Sequence, residues 1–292
     1  MRMGGYYLGC PVWSNKEWTG TLLTRKAKAS EFLHQYASVF NTVEGNTTFY
    51  ALPKPETVTR WLEDTPPDFR FCLKFPRTIS HDKRLQYAED ETRYFFDLFA
   101  PLAPRLGPLF LQLPPSFGPR ELPALRAFLD QLPQHYRYAV EVRHIDFFTR
   151  QRDEYNLNTL LAERGMDRVI FDSRGVHSAT PGMSDAVVKA QDRKPNLPIR
   201  TVALSHHPMV RYISHPTLEV NREHFLYWAN VVASWMKEGR EPFVFIHVPD
   251  DSDAPRFARV FHETLQEFIG VPAMPDWPGE MEPPPAEQLA LF

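Results

Sequence analysis

Apolar residues along this chain come in two rhythms. Short, mostly apolar runs alternate with longer stretches in which apolar side chains recur every three or four positions. The runs are Tyr6–Val12, Thr42–Thr47, Phe69–Phe75, Leu109–Leu113, Tyr138–Arg143, Arg168–Asp172, Met209–Ser214 and Phe243–Val248. Each reads as a strand buried on both faces. Between them lie helical stripes: Phe32, Leu33, Tyr36, Val39 and Phe40; Val58, Trp61 and Leu62; Phe95, Phe96, Phe99 and Leu102; Leu122, Leu125, Leu129 and Leu132. Asn221 is placed to cap a helix that buries Phe225, Leu226, Ala229 and Val232 before Gly239. Ala254–Ile269 buries Phe257, Val260, Phe261 and Phe268 before Gly270. Strand and helix in eightfold alternation predict a parallel sheet closed into a (β/α)8 TIM-type barrel over residues 1–270. The segment 180–199 has a weak pattern and reads as an irregular insertion or a short helix.

Proline changes this picture in two ways. It makes up 28 of 292 residues, about twice the ordinary share. Leu113-Pro114-Pro115 and Val248-Pro249 end their strands, because proline cannot donate to a ladder. Six prolines fall beyond Gly270, so residues 271–292 are expected to form an extended tail.

Composition narrows the class. With 33 basic and 36 acidic residues the net charge is −3, so nucleic acid would have to meet a local basic patch, not a global field. Two cysteines, Cys10 and Cys72, make no disulfide framework and no cysteine-rich metal site, which predicts a reducing compartment. No apolar run approaches the roughly 18 residues of a membrane span. The first residues lack a secretory core. The expectation is a cytoplasmic protein with no membrane partner.

Side chains alternate in and out along a strand, which locates the chemistry. Outward positions should be apolar, so the polar residues late in each strand should line the mouth. They are Glu44, Asn46, Lys74, Gln112, Glu141, Arg143, Asp172, Arg211, His215 and His247, with Trp13 as an aromatic wall. Such a ring is either an ion-pair network filling the mouth or a ligand site. The strand-end face is where these barrels work, which favours a site. Lys74, Arg77, Arg143 and Arg211 suit a phosphate or carboxylate. Glu44, Glu141, Asp172 and His247 are the candidates for acid–base chemistry, or for holding a divalent metal as cofactor. No His-Glu-x-x-His spacing supports the metal. His206-His207 should point to opposite faces and reads as a surface loop pair. No glycine-rich phosphate loop, Gly-x-Ser-x-Gly elbow or dinucleotide fingerprint occurs, which argues against nucleotide-cofactor redox chemistry and against ordinary serine hydrolysis.

Several of these stretches resemble the YecE-like family, domain of unknown function 72. They are Leu8-Gly9-Cys10-Pro11-Val12-Trp13; Phe40 to Tyr50 with Pro53 to Trp61; Phe71 to Pro76 with Ile79-Ser80-His81; Leu111 to Pro115; and Phe245 to Asp250. The resemblance spans roughly residues 5–270 and implies a TIM-type barrel without a settled activity. Members are compared with metal-dependent barrels that cut phosphodiesters at abasic DNA sites. The metal-ligand spacings of those nucleases do not match this chain, so no ligand set carries over. Two positions depart from the family's habit: Cys10-Pro11-Val12 before the tryptophan, and Ser214-His215-Pro216 where a His-Gly pair is common.

The chain ends Gln288-Leu289-Ala290-Leu291-Phe292. This resembles the peptide by which bacterial polymerases and repair proteins bind the sliding clamp. Leu291 and Phe292 would fill an apolar pocket, Gln288 would hydrogen-bond at its edge, and Leu289 would pack beside them. Tethering through a proline-rich leader would raise effective concentration. The alternative is an apolar end folded back on the barrel. Together these features predict a DNA-associated barrel enzyme acting on a phosphodiester or an abasic sugar–phosphate. Trp13, Phe49 and Tyr50 would then stack on a base or sugar. Two other classes stay open: a small-molecule isomerase or hydrolase acting on a sugar phosphate or carboxylate, and a non-catalytic binding barrel. A broad basic groove would favour DNA, and a closed pocket a small molecule.

Overall fold

In a computed structural model, which describes residues 3–180 and 182–283, all eight runs form strands. They are β1 (Tyr7–Gly9), β2 (Thr42–Gly45), β3 (Arg70–Leu73), β4 (Leu109–Gln112), β5 (Tyr138–Glu141), β6 (Asp167–Arg168) with β7 (Ile170–Asp172), β8 (Met209–Ile213) and β9 (Phe243–His247). The sixth run appears as two pieces, β6 and β7, on either side of Val169. Helices α1 (Phe32–Val39), α2 (Pro55–Glu63), α3 (Glu89–Phe99), α4 (Leu122–Asp130) and α5 (Arg152–Ala162) follow the first five strands. Two helices, α6 (Arg174–His177) and α7 (Asp185–Arg193), follow the sixth. The last strands lead into α8 (Arg222–Lys237) and α9 (Ala254–Gln266). Among the described residues no helix is long and apolar enough to cross a membrane.

The strands pair in parallel around a ring. One run of the sheet is β1-β9-β8-β7, another β4-β5-β6, a third β2-β3. Backbone bonds from Gly107 N to Phe71 O (2.9 Å) and Phe75 N to Phe110 O (3.1 Å) join β3 to β4. Val169 N donates to Val140 O at 2.9 Å, which carries the sixth strand past its break.

The seam between β1 and β2 closes mainly through side chains. Among the described residues, only Glu44 N to Cys10 O, 3.1 Å, bridges it backbone to backbone. Asn41 accepts from Leu8 N at 2.8 Å and donates to Tyr6 O at 2.8 Å, copying the donor and acceptor of a missing strand neighbour. Above it the Tyr36 hydroxyl accepts from Cys10 N (2.8 Å) and donates to Thr42 O (2.9 Å). Gly9 permits the close approach: a Cβ there would lie 2.2 Å from Thr42 O.

Both faces of the strands are buried, as their lack of polar alternation predicts. Outward side chains join the large core beneath the helices. Inward ones form a separate cluster of Tyr7, Cys72, Phe110, Ala139, Val169, Met209, Phe243 and Phe245, the floor of the barrel.

Two local expectations are revised. Asn221 precedes α8 but makes no capping bond to it. Its amide instead ties the preceding loop, accepting from Tyr212 Oη and His215 N, each at 2.8 Å. Residues 271–283 also do not leave the barrel as an extended tail. Val271 and Trp277 are buried, the Arg259 guanidinium lies 3.4 Å over the Trp277 ring, and Arg259 pairs with Glu280 at 2.9 Å. The prolines lower the entropy lost when this segment docks, and the indole supplies the apolar area that holds it.

Tyr36→Phe removes one hydroxyl and leaves Cys10 N and Thr42 O without their partner. We expect a loss of about 1–3 kcal/mol, the cost of buried unsatisfied groups, measured by urea unfolding. Unchanged stability would show that the seam does not depend on this hydroxyl.

Candidate functional site

The C-terminal ends of the strands enclose a cavity of about 810 Å³. At its base lies Arg211, on β8. Its Nε donates to Glu44 Oε2 at 2.8 Å and its Nη2 to Glu44 Oε1 at 2.6 Å, while Nη1 donates to Glu141 Oε2. Arg143 holds the other Glu141 oxygen at 2.7 Å and reaches Gln112 Oε1 at 2.9 Å. Lys74 Nζ donates to that same Gln112 oxygen at 2.7 Å. His247 Nε2 meets Glu44 Oε2 at 3.0 Å, and Asn46 donates to Glu44 Oε1. Phe171 and Phe110 pack beside the guanidiniums, with Arg211 5.3 Å from the Phe110 centroid and Arg143 5.1 Å from that of Phe171.

Charge in this network follows from its contacts. Burial alone would raise the Glu44 pKa, but Arg211 and His247 outweigh it and hold the carboxyl well below the usual range. The same competition, with Arg211, Arg143 and Lys74 opposing burial, leaves Glu141 at about 2. Burial holds His247 neutral, down to about 4. Ionised Glu44 can only accept, so the Nε2 of His247 carries the proton. Two carboxylates are therefore neutralised by two guanidiniums, and all four carboxylate oxygens already accept from protein donors. Glu44 and Glu141 are thus held as paired anions at the base of the cavity.

Asp172 is a clear correction. Val169 and Phe171 face the barrel interior, so the alternation points Asp172 outward. It accepts from Trp228 Nε1 at 2.8 Å and from Arg174 Nη2 at 2.9 Å, away from the mouth. His215 is also diverted: its Nδ1 accepts from Thr217 N at 2.9 Å inside a loop, and it does not line the cavity. Trp13 packs edge-on against Trp61 with centroids 5.0 Å apart, in a groove between α1 and α2. Asn46, Lys74, Arg77, Gln112, Arg143, Arg211 and His247 do come together at the cavity, with Phe49 and Tyr50 on its wall. Gln288, Leu289, Leu291 and Phe292 lie outside the described residues.

Strand sorting missed the helix that forms one side of the cavity. Ala186, Lys189, Ala190, Arg193 and Lys194 share one side of the α7 segment and line the space. Their spacing of three, four, seven and eight residues is a helical signature, hidden because its face is basic instead of apolar. Ser184 caps α7 by accepting from Val187 N at 3.2 Å, and Ala190 packs with Phe171, Val176 and Ile213. His81 and Asp251 also enter from loops. Apart from Arg211, six basic side chains line the cavity (Lys74, Arg77, Arg143, Lys189, Arg193 and Lys194) against Asp185, Asp250 and Asp251.

Among the described residues, one group of His, Cys, Asp or Glu is close enough to hold a metal. It is His206, His207 and Glu241, whose ligand atoms lie within 4.8 Å of one another. The loop before β8 turns both imidazoles toward Glu241, contrary to the strand-based expectation. This group precedes β8 and β9, at the end of the barrel opposite the mouth.

A family model described as "Protein of unknown function DUF72" matches residues 7–280. The chain belongs to the DUF72 family. It is 46% identical over 273 residues to the UPF0759 protein YecE of Escherichia coli strain K12, covering 92% of this chain and 97% of that one. To the UPF0759 protein YunF of Bacillus subtilis strain 168 it is 24% identical over 198 residues, 65% of this chain and 68% of the relative. A DUF72 protein from Thermotoga maritima shares the fold with a TM-score of 0.68 at 24% identity, over 89% of this chain and 99% of its own. One from Enterococcus faecalis does so with a TM-score of 0.67 at 18% identity, over 93% and 100%. The DUF72 match ends at residue 280, so Val271 and Trp277 of the docked C-terminal segment fall within the family region.

The central ion network predicts acid sensitivity. Both glutamates have depressed folded pKa values, so their contribution is fully present above about pH 4.5 and is lost as pH falls toward 2. Glu44→Gln should cost about 3 kcal/mol at pH 7, because Arg211 loses one of its two counter-charges. It should also flatten the acid decline. Melting curves from pH 7 to pH 2 test both, and a variant as stable and as acid-sensitive as the parent would contradict them.

Proposed function

We propose that the DUF72 mouth binds a phosphorylated small molecule, sugar-phosphate or nucleotide in size, as the substrate site of an enzyme. One observation carries this reading: the cavity's central carboxylates are consumed by Arg211 and Arg143, so the remaining basic groups face the space in excess. Among the described residues, Lys74, Lys189, Arg193 and Lys194 have no carboxylate oxygen within 4.0 Å. A volume near 810 Å³ is that of a small-molecule pocket. Arginine on α7 and at Arg143 suits the tetrahedral oxygens of phosphate. Carboxylates already saturated by guanidiniums do not favour a metal-dependent mechanism at this end of the barrel.

A second reading keeps DNA as the partner. It rests on the terminal Gln288-Leu289-Ala290-Leu291-Phe292, which suits capture by a bacterial sliding clamp. The mouth would then take the sugar–phosphate of an abasic nucleotide instead of a free metabolite.

Calorimetry with ribose 5-phosphate and inorganic phosphate tests the first reading. Joint Lys189→Ala and Arg193→Ala substitution, on the exposed face of α7, should weaken binding at least tenfold, about 1.4 kcal/mol, without lowering the melting temperature. Unchanged affinity, or no binding of either probe by the parent, would sink it. For the second reading, surface plasmon resonance on immobilised clamp compares the full chain with one lacking residues 288–292. Binding should vanish with the deletion, and equal affinity for both chains rejects the tether. An abasic duplex should then bind with a steep salt dependence.

A further inference from the structure

We propose that Lys74 is the nucleophile of the mouth, forming an imine with the carbonyl carbon of a phosphorylated aldehyde or ketone. This rests on the phosphate reading above for the rest of the ligand. Its own support comes from how Lys74 is held.

Lys74 follows the last residue of β3, and its backbone is tied on both sides. Its N–H donates to Gly45 O at 3.3 Å, and its carbonyl accepts from Thr48 Oγ1 at 2.6 Å. The side chain is only 6% exposed, yet it lines the cavity. Nζ lies 3.9 Å over the Phe49 ring, which blocks water from one side. His81 packs edge-on with the same ring, 5.0 Å from Phe49 between centroids. One neutral acceptor, Gln112 Oε1, receives an Nζ hydrogen, and Arg143 shares that oxygen.

A buried lysine ordinarily has a carboxylate partner. Here the nearby carboxylates, Glu44 on β2 and Glu141 on β5, are already engaged by Arg211 and Arg143. Arg143, Arg211, Arg77, His81 and His247 are the other titratable groups brought by the strand ends and their loops, Lys189, Arg193, Lys194 and Asp185 face the same space from the α7 segment, and Asp250 and Asp251 from the loop after β9. Burial first, and then Arg211, bring the Lys74 ammonium down to about 7, so much of it is free amine near neutral pH. Lowering a lysine by burial beside other cations is how an amine becomes a nucleophile at that pH.

The step balances without any added reagent. The Nζ lone pair forms a bond to the carbonyl carbon, and the C=O π pair moves to oxygen, which takes up a proton as nitrogen releases one. The C–O bond then breaks as that oxygen takes up a second proton, water leaves, the nitrogen lone pair closes the C=N bond, and the resulting iminium releases its N–H proton to give the imine, so that no net proton is consumed. Asp251, pushed up to about 6 mainly by burial, lines the same cavity and can exchange protons across this range.

Glyceraldehyde 3-phosphate with sodium cyanoborohydride reads the adduct directly, because reduction of the imine fixes it as a stable secondary amine. We expect one adduct per chain by intact mass, mapped to Lys74 by peptide sequencing. Its rate should saturate with aldehyde, and excess inorganic phosphate should slow it at least tenfold. Lys74→Arg should abolish it, with the melting curve confirming that the variant folds. In the parent chain, limited acetylation should show Lys74 half-reactive near pH 7, against about 10.4 for surface lysines. Adducts scattered over surface lysines, persistence in Lys74→Arg, or ordinary acetylation of Lys74 would overturn the proposal. If phosphate binds but no Lys74 adduct forms, the phosphate reading stands and the nucleophile falls. If unphosphorylated glyceraldehyde labels Lys74 equally fast and phosphate does not compete, the nucleophile stands and the phosphate reading falls.

Discussion

The upper half of this barrel depends on one buried guanidinium. Arg211 on β8 reaches Glu44 on β2 and Glu141 on β5, so a single cation ties three strands spread around the ring. Burying such a charge costs several kcal/mol unless its donors are met by anions in good geometry. That requirement fixes where β2, β5 and β8 stand relative to one another. It also explains why the inward charges lie at one level, above an apolar floor of Phe110, Phe243 and Phe245.

The consequence for chemistry is subtraction. Arg211 and Arg143 engage every oxygen of both glutamates, and His247 and Asn46 donate to Glu44 as well. What faces the cavity is therefore mainly basic: Lys74, Arg77 and Arg143 beside Lys189, Arg193 and Lys194 of the α7 segment, against Asp185, Asp250 and Asp251. A mouth that looked evenly mixed in charge is left with more basic than acidic side chains facing the space once its two glutamates are paired.

The strands were legible because burial on both faces leaves continuous apolar runs, and the count of eight follows from that. Lys74, Gln112, Glu141, Arg143 and Arg211 could be aimed inward from period two alone, and the folded chain brings them into contact. Asp172 could not, because the sixth strand breaks at Val169 and its two short pieces leave too few residues to set the parity from polarity. His215 and Trp13 follow strands whose ends turn early, so their side chains obey loop geometry. Lys189, Arg193 and Lys194 carried a helical spacing, but a helix packed across a polar mouth has no broad apolar stripe to announce it.

Sequence by itself determined the alternation of strand and helix, the apolar floor and the set of charges near the strand ends, because these depend on local period and on hydrophobicity. Tertiary structure decided which charges cancel. Ion pairing joins residues as far apart as Glu44 and Arg211, and only the closure of the ring sets which donor meets which oxygen. It also decided that Trp277 draws the proline-rich segment back onto α9, since no local rule says whether a lone indole on an extended chain will find a surface to bury it.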